Sequence, residues 1–185
     1  MNLPELSTPR LRLLPLCPDD APRIAELGSD PVIAAFTANM PSPYTLKDAR
    51  AFVERSLEAG EKGDDLVFGI HLRAGALTGI INLRLNPRHH SGHLGYWMGA
   101  PYRGQGYMTE AVKRVMTYGL ETLGLRRIHT SCLATNAASA RVLLNAGFES
   151  EGCSRQAFLK NGVFHDLLNF GVLATDEAVS TDDPA

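Results

Sequence analysis

The order of its predicted elements places this chain in the α+β class, with a central mixed, mostly antiparallel sheet flanked by helices. Three observations lead there. Three β-type runs follow one another closely between residues 66 and 98, parted by Ala74-Gly75-Ala76 and by Asn86-Pro87, the pattern of an antiparallel meander. A long run from Gln105 to Leu123 then carries apolar residues at helical spacing. Beyond it a strand, a short helix and two further strands complete an order that packs most economically as one sheet with helices on its faces.

Taken along the chain, Leu11 to Leu16 form a first extended segment, which Pro18 closes. Asp19 and Asp20 can cap a helix whose Ile24 and Leu27 make an apolar stripe and which Gly28 ends. Asn39 to Tyr44, with two prolines, reads as a loop, and Ala49, Phe52, Val53 and Leu57 predict a second helix from Leu46 to Glu61. The meander strands are Leu66 to Arg73, Leu77 to Leu85 and His93 to Met98. In the long helix Met108, Ala111, Val112, Val115, Met116, Leu120 and Leu123 hold a period of 3.6, and Gly124 supplies a left-handed stop. A strand over Ile128 to Leu133, a helix over Asn136 to Ala146 ended by Gly147, and strands over Phe148 to Phe158 and Val163 to Leu173 complete the order.

A chain of 185 residues is long enough for one sizeable core, so residues 1–174 are expected to form a single domain. The tail over 175–185, with Asp176, Glu177, Asp182 and Asp183 and few apolar residues, is expected to be a disordered acidic extension. Eighteen basic against 20 acidic residues leave no concentrated basic face, which argues against nucleic acid as a partner. No run of about 18 apolar residues is present to span a membrane, and Met1 to Arg10 does not resemble a signal peptide. Cys17, Cys132 and Cys153 form no CxxC pair, so a reducing, cytoplasmic compartment is expected, with two of the three acting as small apolar fillers in strands.

The most informative segment joins the third meander strand to the long helix: Gly99-Ala100-Pro101-Tyr102, then Arg103-Gly104-Gln105-Gly106. Two glycines allow close approach of a ligand to the backbone, and the first N–H groups of a helix are unsatisfied and electropositive, so this turn suits an anion such as phosphate. It is neither a Walker A loop, since Gln105 and Gly106 stand where Lys and Ser or Thr are required, nor a dinucleotide fingerprint, since Thr109 replaces the third glycine. A tight turn without a ligand is the alternative.

Arg103-x-x-Gly106-x-Met108 resembles the pyrophosphate pattern of the GCN5-related N-acetyltransferase (GNAT) superfamily, and the element order is similar to that superfamily's. Leu94 to Met98, Tyr102 to Ala111 and Asn136 to Gly152 look like the branch that acetylates N-terminal residues of ribosomal proteins. Thr8 to Leu13, Arg155, Gly162 and Asp166 fit the same branch, so the resemblance runs from about Leu6 to Leu173. It implies a GNAT-type acyltransferase fold, acetyl-coenzyme A as co-substrate, no metal, an amine acceptor and a possible homodimer.

The resemblance also implies roles. Arg103, Gly104, Gln105, Gly106, Tyr107 and Met108 would bind the pyrophosphate, chiefly through backbone N–H groups, with Thr109 adding a hydroxyl. Met108 stands where Gly or Ala is usual, so its side chain must turn toward the core. Trp97, Met98 and Gly99 match the splayed strand that pairs with pantetheine, the Met98 N–H facing the thioester oxygen. Asn136 matches an asparagine that bonds pantetheine, a role compatible with capping the following helix. The tyrosine acid of many members is replaced by Leu143, whereas Ser139 stands where the ribosomal branch has its serine acid. His93 occupies the position of the usual glutamate base, with Glu151, His165 and Asp166 as competitors. His89, His90 and His93 lack a fourth ligand and a fixing helix and read as a solvated turn, not a zinc site. Three readings of function remain: acetylation of a protein N-terminal amine, acetylation of a small amine such as a polyamine, amino acid or aminoglycoside, and a coenzyme A-binding sensor or scaffold without catalysis.

Overall fold

The structure, a computed structural model, describes residues 3–176; beyond Asp176 the expected acidic tail lies outside the described residues. Strands β1 (Leu6–Ser7) and β2 (Leu11–Pro15) are followed by helices α1 (Ala21–Gly28), α2 (Pro31–Phe36) and α3 (Leu46–Lys62). Strands β3 (Asp65–Leu72), β4 (Leu77–Asn86) and β5 (Ser91–Met98) form the meander, and α4 (Tyr107–Thr117) crosses to β6 (Arg127–Leu133). Helix α5 (Ala137–Ala146), β7 (Glu149–Lys160) and β8 (Val163–Leu173) complete the fold. The strands form one eight-stranded sheet in the order β1-β2-β3-β4-β5-β6-β8-β7. Among the described strands only β5 and β6 run parallel, as a helical crossover between them requires.

Strand alternation divides the core between the two faces of the sheet. Leu66, Phe68 and Ile70 of β3, with Ile81 and Leu83 of β4, pack with Ala111, Val112 and Val115 of α4 and Leu143 of α5. Val67 and Ile80 point the other way, onto Ile24 of α1 and Ala49 and Val53 of α3. Helix α3 opens with a capping box: the Thr45 hydroxyl accepts from the Asp48 N–H, and the Asp48 carboxylate accepts from the Thr45 N–H at 2.9 Å. Thr45→Ala is expected to cost about 1 kcal/mol of stability, read as a lower urea midpoint.

Several details differ from the sequence reading. The short β1 and α2 were absent from it, although Asp30 caps α2 by accepting from the Val32 N–H and Pro31 occupies the first turn. Asp20 does not cap α1 with its side chain; its carboxylate instead accepts from the Cys17 N–H at 2.8 Å, closing the preceding 3-10 turn. In α3 the buried stripe is Ala49, Val53 and Ser56, so Leu57 is exposed. The long helix begins at Tyr107 rather than Gln105, because Gly106 sits at φ 79°, a left-handed conformation no α-helical residue has. It ends in a π-helical turn, Tyr118–Thr122, before Gly124 at φ 66°. Cys132 is buried as expected of a filler, but Cys153 is exposed on the edge strand β7. Among the described residues no helix is long and apolar enough to cross a membrane.

Candidate active site

The parallel join of β5 and β6 is short. Ser91, Gly92 and His93 pair with Arg127, Ile128 and His129, and the strands part beyond that point. The Thr130 hydroxyl reaches across to the Leu94 carbonyl at 2.8 Å as they separate. Gly99 N–H donates to Thr78 of β4, so alternation turns the peptide groups of Leu94, Tyr96 and Met98 toward β6. The Met98 carbonyl accepts from Arg103 Nε at 2.8 Å, which leaves the N–H groups of Tyr96 and Met98 and the Tyr96 carbonyl directed into the gap. A strand edge of this kind accepts an extended amide-bearing ligand as an added strand.

At the end of the gap lies the glycine turn. Gly104 and Gly106 have φ of 75° and 79°, and Gly106 occupies the N-cap of α4 without a capping side chain. The first intrahelical bond runs from Glu110 N–H to the Gly106 carbonyl at 3.1 Å, so the N–H groups of Tyr107, Met108 and Thr109 precede the helical ladder. Met108 is 7% exposed and packs with Val112 and Val115, which keeps its side chain away from the turn. Arg103 is occupied with the Met98 carbonyl and with Asp30 at 2.8 Å, so it braces the turn instead of presenting a free guanidinium.

A cavity of about 1250 Å³ connects these parts. It is lined by Ser139 of α5 on one side of the sheet and by Phe52 of α3 on the other, and so it passes through the gap. Of the residues singled out from sequence, His93, Trp97, Met98, Arg103, Gly104, Gly106 to Thr109, Asn136 and Ser139 line it. Two of the cofactor-binding candidates stand outside its lining, Gly99, against Leu27, and Gln105, whose amide donates to the Pro101 carbonyl at 2.9 Å, as do the competing bases Glu151, His165 and Asp166. Trp97 turns its peptide groups to β4 and presents its indole. Asn136 is the N-cap of α5, its Oδ1 accepting from the Ser139 N–H at 3.1 Å.

The Ser139 hydroxyl therefore takes no part in the cap. It lies 2.8 Å from the Tyr96 hydroxyl, which also donates to the Ser139 carbonyl at 3.3 Å. Burial raises the Tyr96 phenol well above the ordinary range, the Ser139 hydrogen bond only partly opposing it, so Tyr96 is a neutral donor near pH 7. Sequence reasoning missed Tyr96, although period-2 alternation sets it on the face of Leu94 and Met98.

His93 lies on the other face, with Arg84 as its cross-strand neighbour and the His129 ring edge-on at 5.2 Å between centroids. Its pKa is lowered from the ordinary imidazole value, first by partial desolvation, then by His129 and Arg84, with Asp65 opposing. The ring reaches solvent, which limits the shift. His129 is lowered too, by desolvation and then Arg127, which is ion-paired with Glu151. That pairing removes Glu151 from the free carboxylates. Asp166 is likewise engaged, accepting from the Gln156 N–H at 2.7 Å.

Known proteins resemble this chain throughout. Residues 10–149 match the family described as acetyltransferase (GNAT) domain. A probable N-acetyltransferase, YjcK of Bacillus subtilis, is 32% identical over 137 residues, covering 72% of this chain and 76% of that protein. The ribosomal-protein-serine acetyltransferase of Escherichia coli is 29% identical over 122 residues, 65% and 68% of the two chains. Among solved structures, RimL, an alpha-N-protein acetyltransferase in complex with coenzyme A, superposes with a TM-score of 0.85 at 21% identity, covering 92% of this chain and 98% of that one. The microcin self-immunity acetyltransferase MccE, in complex with acetyl-CoA and AMP, gives 0.82 at 21% identity over 90% and 93%.

Proposed function

The chain belongs to the GNAT acetyltransferase family, and from that premise we propose that it moves acetyl from acetyl-coenzyme A to a protein N-terminal α-amine by direct attack in a ternary complex. The observation that carries the mechanism is the single cavity through the sheet, which gives the open strand edge and the Ser139–Tyr96 pair on one side and His93 on the other a shared space.

In this reading the glycine turn and the first N–H groups of α4 receive the pyrophosphate. The Tyr96 and Met98 peptides pair with the pantetheine arm, and the Met98 N–H meets the thioester oxygen as charge develops on it. Asn136 stands within reach of the same arm while it caps α5. The amine nitrogen attacks the thioester carbon from the α3 side. Its excess proton passes through water in the cavity to His93, five residues back along β5 from Met98, whose lowered pKa keeps the ring neutral and able to accept it near pH 7. Collapse of the tetrahedral adduct breaks the C–S bond. The thiolate, of pKa about 8.5 by analogy with cysteine, leaves readily as an anion. Ser139 donates a hydrogen bond to it, held in place by the Tyr96 hydroxyl, and the released thiolate takes its proton from water, because a hydroxyl is too weak an acid to surrender its own proton outright.

The protein acceptor is supported by the ribosomal-protein acetyltransferases among the relatives. Thiol release should be measured with acetyl-coenzyme A and three acceptors: a peptide with a free N-terminus, the same peptide N-terminally blocked, and spermidine. Turnover with the free peptide alone is expected. Preferential turnover of spermidine would replace this reading by the small-amine one, and cofactor binding without turnover of any amine would replace it by a sensor.

A further inference from the structure

The glycine turn is held from behind by a residue far away in sequence. Arg10, at the end of the β1–β2 turn, donates from a terminal guanidinium nitrogen to the Gln105 carbonyl at 2.9 Å and lies over the Tyr107 ring at 4.7 Å. Its Nε pairs with Glu110 Oε2 at 2.6 Å, and its backbone N–H donates to Glu110 Oε1 at 3.0 Å. The Thr8 hydroxyl donates to the same carboxylate. Arg10 thus touches the residues on either side of Gly106, and a Cβ added at Gly106 would stand 3.3 Å from its guanidinium.

Glu110 is the reason this matters. It is the acidic residue in the first turn of α4, the helix whose N-terminus is to receive an anion. Burial raises its pKa, but the hydrogen bonds from Thr8 and Arg10 outweigh that and hold it below the ordinary carboxylate value. A carboxylate there favours the helix dipole in the free protein and repels a diphosphate.

We propose that Arg10 is a positioning residue for the acyl donor: it fixes the Gln105–Gly106–Tyr107 backbone behind the phosphate turn and neutralises Glu110, so that the turn meets a diphosphate without an opposing charge. The proposal rests on the coenzyme A reading of the turn. It assigns Arg10 an effect on donor binding and not on the chemical step.

The test compares Arg10→Gln, Glu110→Gln, the double variant and wild type, with acetyl-coenzyme A and with acetyl-pantetheine, which lacks the diphosphate. Arg10→Gln is expected to raise the KM for acetyl-coenzyme A about tenfold relative to that for acetyl-pantetheine, with kcat at saturation held within about twofold. The double variant is expected to recover at least half of that loss on a logarithmic scale, because the uncompensated carboxylate is gone. Equal KM increases for both donors, or a double variant as impaired as Arg10→Gln, would overturn the charge-compensating role and leave Arg10 as scaffold. Direct calorimetric binding of coenzyme A to wild type separates the two levels: no binding there removes the phosphate reading itself, whereas binding unaltered by Arg10→Gln removes only this proposal.

Discussion

Ser139→Ala is expected to lower kcat about 100-fold, the lower end of the range for a positioned hydrogen-bond donor to developing negative charge, while the KM for acetyl-coenzyme A stays within about threefold. The split follows from how Ser139 is held. Its backbone N–H carries the cap bond to Asn136 and survives the substitution, so the start of α5 is preserved. What is lost is the hydroxyl 2.8 Å from Tyr96. The thiolate leaves as a fairly stable anion, which is why the effect lies at the low end of the range. Tyr96→Phe, which removes the second member of the pair, is expected to be intermediate. Steady-state thiol release at saturating donor gives both values, and a Ser139→Ala kcat within twofold of wild type would remove Ser139 from the mechanism.

The second large effect is expected at His93. His93→Gln should lower kcat/KM for the amine about 100-fold at neutral pH and remove the acidic limb of the pH profile. The sign is fixed by the environment. Desolvation, His129 and Arg84 push the imidazole below its ordinary value of 6.5, and Asp65 only partly offsets them. A base must be unprotonated, so wild-type activity is expected to fall as pH drops below that ordinary value. The same depression touches stability. Above the unfolded value the ring is neutral in both states. Between that value and the lowered folded one the unfolded chain binds a proton that the folded chain refuses, so the folded state loses ground as pH falls. A profile identical in His93→Gln and wild type would transfer the role to another group.

Much of the fold was legible because its elements are strongly periodic. Met108, Val112 and Val115 announce α4, and the alternation in β3 to β5 announces the meander. The boundaries failed where a single backbone angle decides them, as at Gly106, and α2 escaped because six residues are too few to show a period. For the site, the sequence marked the glycine turn, Asn136 and Ser139 because they form local patterns. Tyr96 against Ser139 and Arg10 against Glu110 are contacts between residues 43 and 100 positions apart, made only when β5 meets α5 and the β1–β2 turn meets α4. The His93–His129 neighbourhood likewise exists only through the parallel register of β5 and β6.

That register also has a mechanical consequence. Three paired residues, flanked by the Arg126–His90 and Thr130–Leu94 bonds, form the seam that joins β1–β5 to the remaining strands, and past it the two strands part. Beyond that seam the two sides are held by packing and not by backbone bonds, with Phe68 and Leu94 sharing one core with Ile128, Leu143 and Phe170. A ligand bridging both sides would act as a splint, stiffening the two halves into one plate.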